Sequence, residues 1–152
     1  MDTIAVRVIA RVRNGRTTTA DADWGALESA IEMEPDCAAG LAGLEQWSHV
    51  VVIFHMSLEP DPEPTTLVRR PRGRADMPLV GVFAQRGRMR PNPIGITTVP
   101  IVRVGSGRLV VRGLDAVDGT PVLDLKPHAA VFDRPDGVRE PVWFTELMNG
   151  YF

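Results

Sequence analysis

The chain has a single cysteine, Cys37, so no internal disulfide can form and no cysteine pair exists for a zinc site. Cys37 reads as a small packing residue in a reducing compartment. Long apolar runs are missing too: the longest, Val50–Phe54, is far short of the roughly 20 residues of a membrane helix. The start, Met1-Asp2-Thr3-Ile4-Ala5-Val6-Arg7, lacks a signal-peptide stretch. A soluble cytoplasmic protein is the expectation. Lysine is nearly absent, since Lys126 is the only one among 17 basic residues. Arginine in its place supplies a planar, bidentate anion grip, or reflects a bias toward Ala, Arg, Gly, Pro and Val. There is no Gly-Lys-Ser/Thr phosphate loop and no Gly-x-Ser-x-Gly elbow. Gly105-Ser106-Gly107 lacks the third glycine and the helix of a dinucleotide fingerprint, and reads as a hairpin turn.

The 152 residues, 44% of them hydrophobic, suit one domain with one core. The net charge of −2 is an average over segregated blocks. Residues 17–68 hold ten acids and neither Lys nor Arg, whereas residues 69–114 hold ten Arg and one Asp. Near-neutrality therefore excludes a uniformly basic coat but not a basic face.

Periodicity predicts strands at Thr3–Val12, around Ile31 and Met33, at His49–Met56, Leu79–Ala84, Ile96–Val104, Arg108–Leu114, Pro121–Leu125 and Val142–Leu147. Val50-Val51-Val52-Ile53-Phe54 is apolar on both faces, as a central strand would be. A short helix is expected from Asp23 to Glu28, a compact turn or helical turn at Gly40–Trp47, and a loop at Glu59-Pro60-Asp61-Pro62-Glu63-Pro64. Many short strands and little helix indicate a mainly β sandwich or barrel and exclude a Rossmann-type alternation.

Three stretches carry chemistry. His49 and His55 share one strand face. His128 is the only other histidine, too few for a metal site, so no metal is expected. His55, at a strand end where a barrel mouth would open, is a candidate ligand contact. In Arg86-Gly87-Arg88-Met89-Arg90-Pro91-Asn92-Pro93, an extended chain would project Arg86, Arg88 and Arg90 to one side. Three like charges so placed call for an anion or carboxylates. Asp115, Asp118, Asp124 and Lys126 crowd about the turn Asp118-Gly119-Thr120-Pro121, whose chemistry the turn explains only in part.

Gly43-Leu44-Glu45-Gln46-Trp47-Ser48-His49 with Phe54-His55, Gly81-Val82-Phe83-Ala84-Gln85-Arg86 through Arg90-Pro91-Asn92-Pro93-Ile94-Gly95, and Leu114-Asp115 through Asp118-Gly119-Thr120-Pro121 to Lys126-Pro127 occur in that order. Together they resemble the TsaA-like (TrmO, formerly YaeB-like) family, with a motif-bearing core at about 31–128 of a single domain spanning 1–152. The resemblance implies a β-barrel-like, non-Rossmann fold with short helical turns. It also implies an S-adenosylmethionine-dependent methyltransferase that acts as a homodimer on N6 of threonylcarbamoyladenosine, beside the tRNA anticodon.

Carried over by motif, the cofactor contacts would be His55, Met56, Arg86, Thr98, Asp115, Ala116, Val117, Asp118 and Gly119. An arginine can grip the methionyl carboxylate, and acids can meet the hydroxyls or the positive centres. Asp118 and Lys126 are candidates for catalytic support. Arg69, Arg70, Arg72, Arg74, Arg88 and Arg90 would meet tRNA phosphates. Two alternatives share the pocket: methylation of a small molecule, and a non-catalytic S-adenosylmethionine-binding module. The chain departs from the family where a Pro-Arg-Gln-Pro segment commonly follows the first strand, because Arg13-Asn14-Gly15-Arg16-Thr17-Thr18-Thr19 stands there. Met56 replaces a common Gln, and Gly87 a common Ser.

Overall fold

The computed structural model describes residues 2–56 and 66–152, and the proline-alternating stretch 59–64 expected to loop lies outside them. Six strands close into an antiparallel barrel: β1 (Ala10–Arg13), β2 (Glu28–Met33), β3 (His49–His55), β6 (Ile94–Gly105), β7 (Arg108–Arg112) and β8 (Pro121–Pro127). Their order around the barrel is β1-β2-β7-β6-β3-β8. Two further strands, β4 (Val68–Arg69) and β5 (Val80–Gly81), pair among the described residues only with each other and form a small flap.

The barrel follows from alternation. On β3, Val50, Val52 and Phe54 point into the core and are almost fully buried. They meet Val99 of β6, Leu109 and Val111 of β7, Val122 of β8, Ile31 of β2 and Val12 of β1. Each such side chain contributes about 1.5–3 kcal/mol by leaving water. β3 is paired on both edges, to β6 and β8, which is why its sequence is apolar throughout. Gly95 must be glycine because a Cβ there would lie 2.4 Å from the ring of Phe54. Gly105 pairs with Arg108 across the hairpin turn expected at Gly105–Gly107, and Gly107 takes the positive φ of 69° that such a turn demands. Short 3₁₀ turns at Ala38–Leu41 and Leu44–Gln46 occupy the stretch read as helical turn.

Four expectations are corrected. The first strand is confined to β1: its register with β2 and β8 starts at Ala10, and Ile9 adds one backbone bond to Val122 and one from Glu34. No helix spans Asp23–Glu28: Asp23 has φ of 60°, a turn closes from Trp24 to Leu27, and β2 begins at Glu28. Of Leu79–Ala84 only Val80–Gly81 is strand, followed by a 3₁₀ turn at Val82–Ala84. Val142–Leu147 is a helix, α2, entered from Pro141, and a four-residue helix α1 (Ala130–Asp133) precedes it. The closed barrel presents no free edge strand that would hold Val142–Leu147 extended.

Candidate functional site

The strand registers bring one set of ends together. Arg13 pairs with Ala30, Glu28 with Arg112, His55 with Ile94 and Phe54 with Val122. The C-terminal ends of β1, β3 and β7 thus meet the N-terminal ends of β2, β6 and β8. From this single barrel end emerge loops 14–27 and 113–120 and the β4–β5 flap. His55, Met56, Arg86 and Asp115–Gly119 are carried by these ends and loops.

Asp115 receives a hydroxyl hydrogen on each oxygen. Thr97 of β6 donates to Oδ1, and Tyr151, from beyond α2, donates to Oδ2 at 2.7 Å. Burial, followed by the charge of Asp115, pushes the Tyr151 phenol upward, so it stays a donor at neutral pH. Asp118 is fixed differently. Its Oδ1 accepts the backbone N–H groups of Asn14 at 2.8 Å and Gly15 at 3.1 Å, and its Oδ2 lies 3.9 Å from Arg13. Those two N–H bonds, with Arg13 adding to them, hold its carboxyl below the usual range. The loop backbone is tied in as well: Ala116 O accepts from Asn14 Nδ2 at 2.9 Å, and Gly119 N–H donates to Val12 O at 2.8 Å. Val117 is buried, and Gly119, with φ of 81°, closes the turn in which Thr120 N–H meets Val117 O.

Loop 14–27, which holds most of the stretch 13–19 that departs from the family motif, is organised by Arg16. Its guanidinium lies 3.6 Å over the ring of the buried Trp24 and donates to the carbonyls of Thr18, Ala20, Ala22 and Asp23. Arg86 donates to Ile96 O at 2.8 Å on the outer edge of β6. Thr98 faces outward and pairs with Val51, which on its other side pairs with Lys126. Lys126 lies on the outer wall, ion-paired to Asp124 at 2.8 Å. Five residues of strand, roughly 17 Å, separate it from Pro121 at the barrel end. The structure therefore does not bring Thr98 or Lys126 to that end.

The arginines of residues 69–90 do not form one row. Arg90 folds back, donating from Nε to Gly87 O at 2.9 Å and from Nη2 to the carbonyls of Val82 and Gln85. Arg70 donates to Met77 O, Arg72 is paired with Asp21 at 2.8 Å, and Arg74 with Asp76. The Nε of Arg69 is buried without a hydrogen-bond partner among the described residues. Burial, then the charges of Arg90 and Arg88, hold its pKa below the usual arginine value. Phe83 projects from the turn that Arg90 clasps and is 80% exposed. Among the described residues no cluster of metal ligands occurs, and no helix is long and apolar enough to cross a membrane. Sequence reasoning missed Thr97 and Tyr151; only strand alternation, which turns Thr97 inward and Thr98 outward, carried any signal.

Comparison with known proteins places this arrangement. The human tRNA (adenine(37)-N6)-methyltransferase is 37% identical over 115 residues, which cover 72% of this chain and 24% of the human protein. A protein of Methanothermobacter thermautotrophicus named "Probable S-adenosyl-L-methionine-binding protein" is 37% identical over 129 residues, 82% of this chain and 90% of that one. A crystal structure of TrmO from Pseudomonas aeruginosa superposes with a TM-score of 0.73 at 31% identity, covering 91% of this chain and 61% of that one. This chain thus spans a quarter of the human relative and under two thirds of the bacterial structure. Residues 19–134 match the model of the tRNA-methyltransferase O N-terminal domain, and the chain belongs to that family.

Proposed function

We propose that this chain is an S-adenosylmethionine-dependent methyltransferase acting on N6 of threonylcarbamoyladenosine beside the tRNA anticodon, as a cytoplasmic homodimer. The observation that carries the reading is the convergence of His55, Met56, Arg86 and Asp115–Gly119 on one barrel end. The names of the human and archaeal relatives, a tRNA adenine N6-methyltransferase and an S-adenosylmethionine-binding protein, support the substrate and the cofactor.

The donor set fits such a cofactor. Asp115 keeps acceptor capacity beyond its two hydroxyl partners for hydroxyl or amine hydrogens. Arg86 engages one carbonyl and has further N–H groups for a carboxylate. S-adenosylmethionine, when bound, supplies an electrophilic methyl group. This chain's residues place the acceptor nitrogen against that methyl, and such placement is the greatest rate advantage open to them. Asp118 supports the site by pinning loop 13–16; the N–H groups on its oxygen make it a poor base. Asp124 holds the Lys126 amine protonated, so that side chain acts as a cation.

For tRNA, Arg69 with Arg88 beside it, and the exposed Phe83 as a surface on which a base can stack, form the approach. Self-association is supported by the outer face of β6, where Ile94, Ile96 and Val102 are exposed. Mass spectrometry of tRNA nucleosides from cells lacking the gene tests the reading. Loss of the N6-methylated nucleoside, restored by the wild-type gene, is expected; an unchanged level returns the small-molecule and binding-module alternatives. Sedimentation of the purified protein tests the dimer, and a monomer at micromolar concentration removes it.

A further inference from the structure

Tyr151 is carried by the chain's last turn and is assigned no role by the sequence motifs, yet its hydroxyl is one of two that hold Asp115. Its position is set by backbone. Tyr151 O accepts from Trp24 N–H at 3.3 Å, and Tyr151 N–H donates to Met148 O at 3.1 Å. Phe152 lies so close to Gly25 that a Cβ on that glycine would stand 2.8 Å from the Phe152 carbonyl carbon. On the other side, Gly113 N–H donates to Leu27 O at 2.9 Å, and a Cβ on Gly113 would stand 3.5 Å from Gly25 O. The main chain of 24–27 therefore packs directly against that of Gly113 on one side and of 151–152 on the other. That stacking fixes how far Tyr151 reaches toward Asp115.

A carboxylate on a loop ordinarily samples several rotamers, and ordering it on ligand binding costs affinity. Here Thr97 holds one oxygen from β6 and Tyr151 the other from the opposite side. Both partners are hydroxyls, so the charge is oriented and not neutralised. Asp118 in the same loop meets a cation, and among the described residues Asp115 meets none. We infer that Tyr151 is a positioning residue for the site: with Thr97 it holds the Asp115 carboxylate in one orientation, leaving its remaining lone pairs for the ligand's hydroxyl or amine hydrogens. The inference rests on the reading of Asp115 as a cofactor contact.

A latch that only closes the end of the chain would lower stability without acting through Asp115. A double-mutant cycle separates the two. S-adenosylmethionine is titrated calorimetrically into the wild type, Tyr151→Phe, Asp115→Asn and the double variant, with melting temperatures taken alongside. About a tenfold loss of affinity is expected for Tyr151→Phe, the size of one hydrogen bond to a charged group. The double variant is expected to bind no more weakly than Asp115→Asn alone. Thr97→Val provides a second cycle that leaves the last turn untouched, and the same pattern is expected. Unchanged affinity in Tyr151→Phe, or losses that multiply in the double variants, overturn the inference. Failure of the wild type to bind defeats the cofactor reading itself, and the inference with it.

Discussion

The acidic loop 115–119 and the arginine-rich flap around β4 and β5 are both charged segments at the same barrel end, but their side chains are held in opposite ways. Asp118 binds the backbone of Asn14 and Gly15, more than a hundred positions earlier, and Asp115 is held by Thr97 and Tyr151 from two other elements. In the flap, by contrast, Arg70 reaches Met77, Arg74 reaches Asp76, and Arg90 reaches Gly87, Val82 and Gln85. The first set ties together segments that only the fold makes neighbours. The second mainly stiffens its own loop, while Arg72, paired with Asp21, and Arg86, bonded to Ile96 O of β6, reach outside it. Changes in the loop should therefore register in fold stability and cofactor affinity together, whereas changes at the flap arginines other than Arg86 should register in nucleic-acid binding alone.

The largest effect expected from this contrast belongs to Asp118→Ala. Two backbone N–H groups lose their acceptor, at a cost of about 1–2 kcal/mol by analogy with a helix cap. Denaturant titration should show that loss, and calorimetry should show weaker S-adenosylmethionine binding. Asp118→Asn, which keeps an acceptor oxygen, should retain more of both. The same residue predicts a pH signature. Its folded carboxyl lies below its unfolded value, so its stabilisation is complete above about pH 4 and fades as pH falls through the folded value. Asp118→Asn should flatten that part of the acid unfolding profile; an unchanged profile would assign the acid sensitivity to other carboxylates.

Smaller, and confined to RNA, is the effect expected of Arg69→Ala. Binding of an anticodon stem-loop should weaken, and the dependence of log affinity on log salt should fall by about one. Cofactor affinity should stay unchanged. The smallest effect belongs to Arg74→Ala, which removes a pair exposed on both sides. Water and salt screen such a pair, so the melting temperature should stay within the scatter of replicate melts. A large loss of cofactor affinity in either arginine variant would break the division between loop and flap.

Much of the fold was legible because local chemistry and barrel geometry agreed. The two-sided apolarity of Val50–Phe54 marks a strand paired on both edges, and the glycine-bracketed Ser106 marks a hairpin. Asp118-Gly119 marks the turn at the candidate site. Legibility failed where the outcome depended on partners. Val142–Leu147 is rich in residues that favour strands, yet a closed barrel leaves it no edge, and it is a helix. Arg86, Arg88 and Arg90 would align only on an extended chain, and Arg90 bends back onto Gly87. Tyr151 and Thr97 could not be read at all as partners, since their meeting at Asp115 comes from stacked backbones and not from any local pattern.

The most direct test of the account is a single methyl-transfer experiment. Purified chain is incubated with S-adenosylmethionine carrying an isotopically labelled methyl group and with tRNA containing threonylcarbamoyladenosine, and the nucleosides are resolved by mass spectrometry. Labelled methyl is predicted on that nucleoside, as is its loss with Asp115→Asn. Cofactor binding without any label on the tRNA would contradict the account.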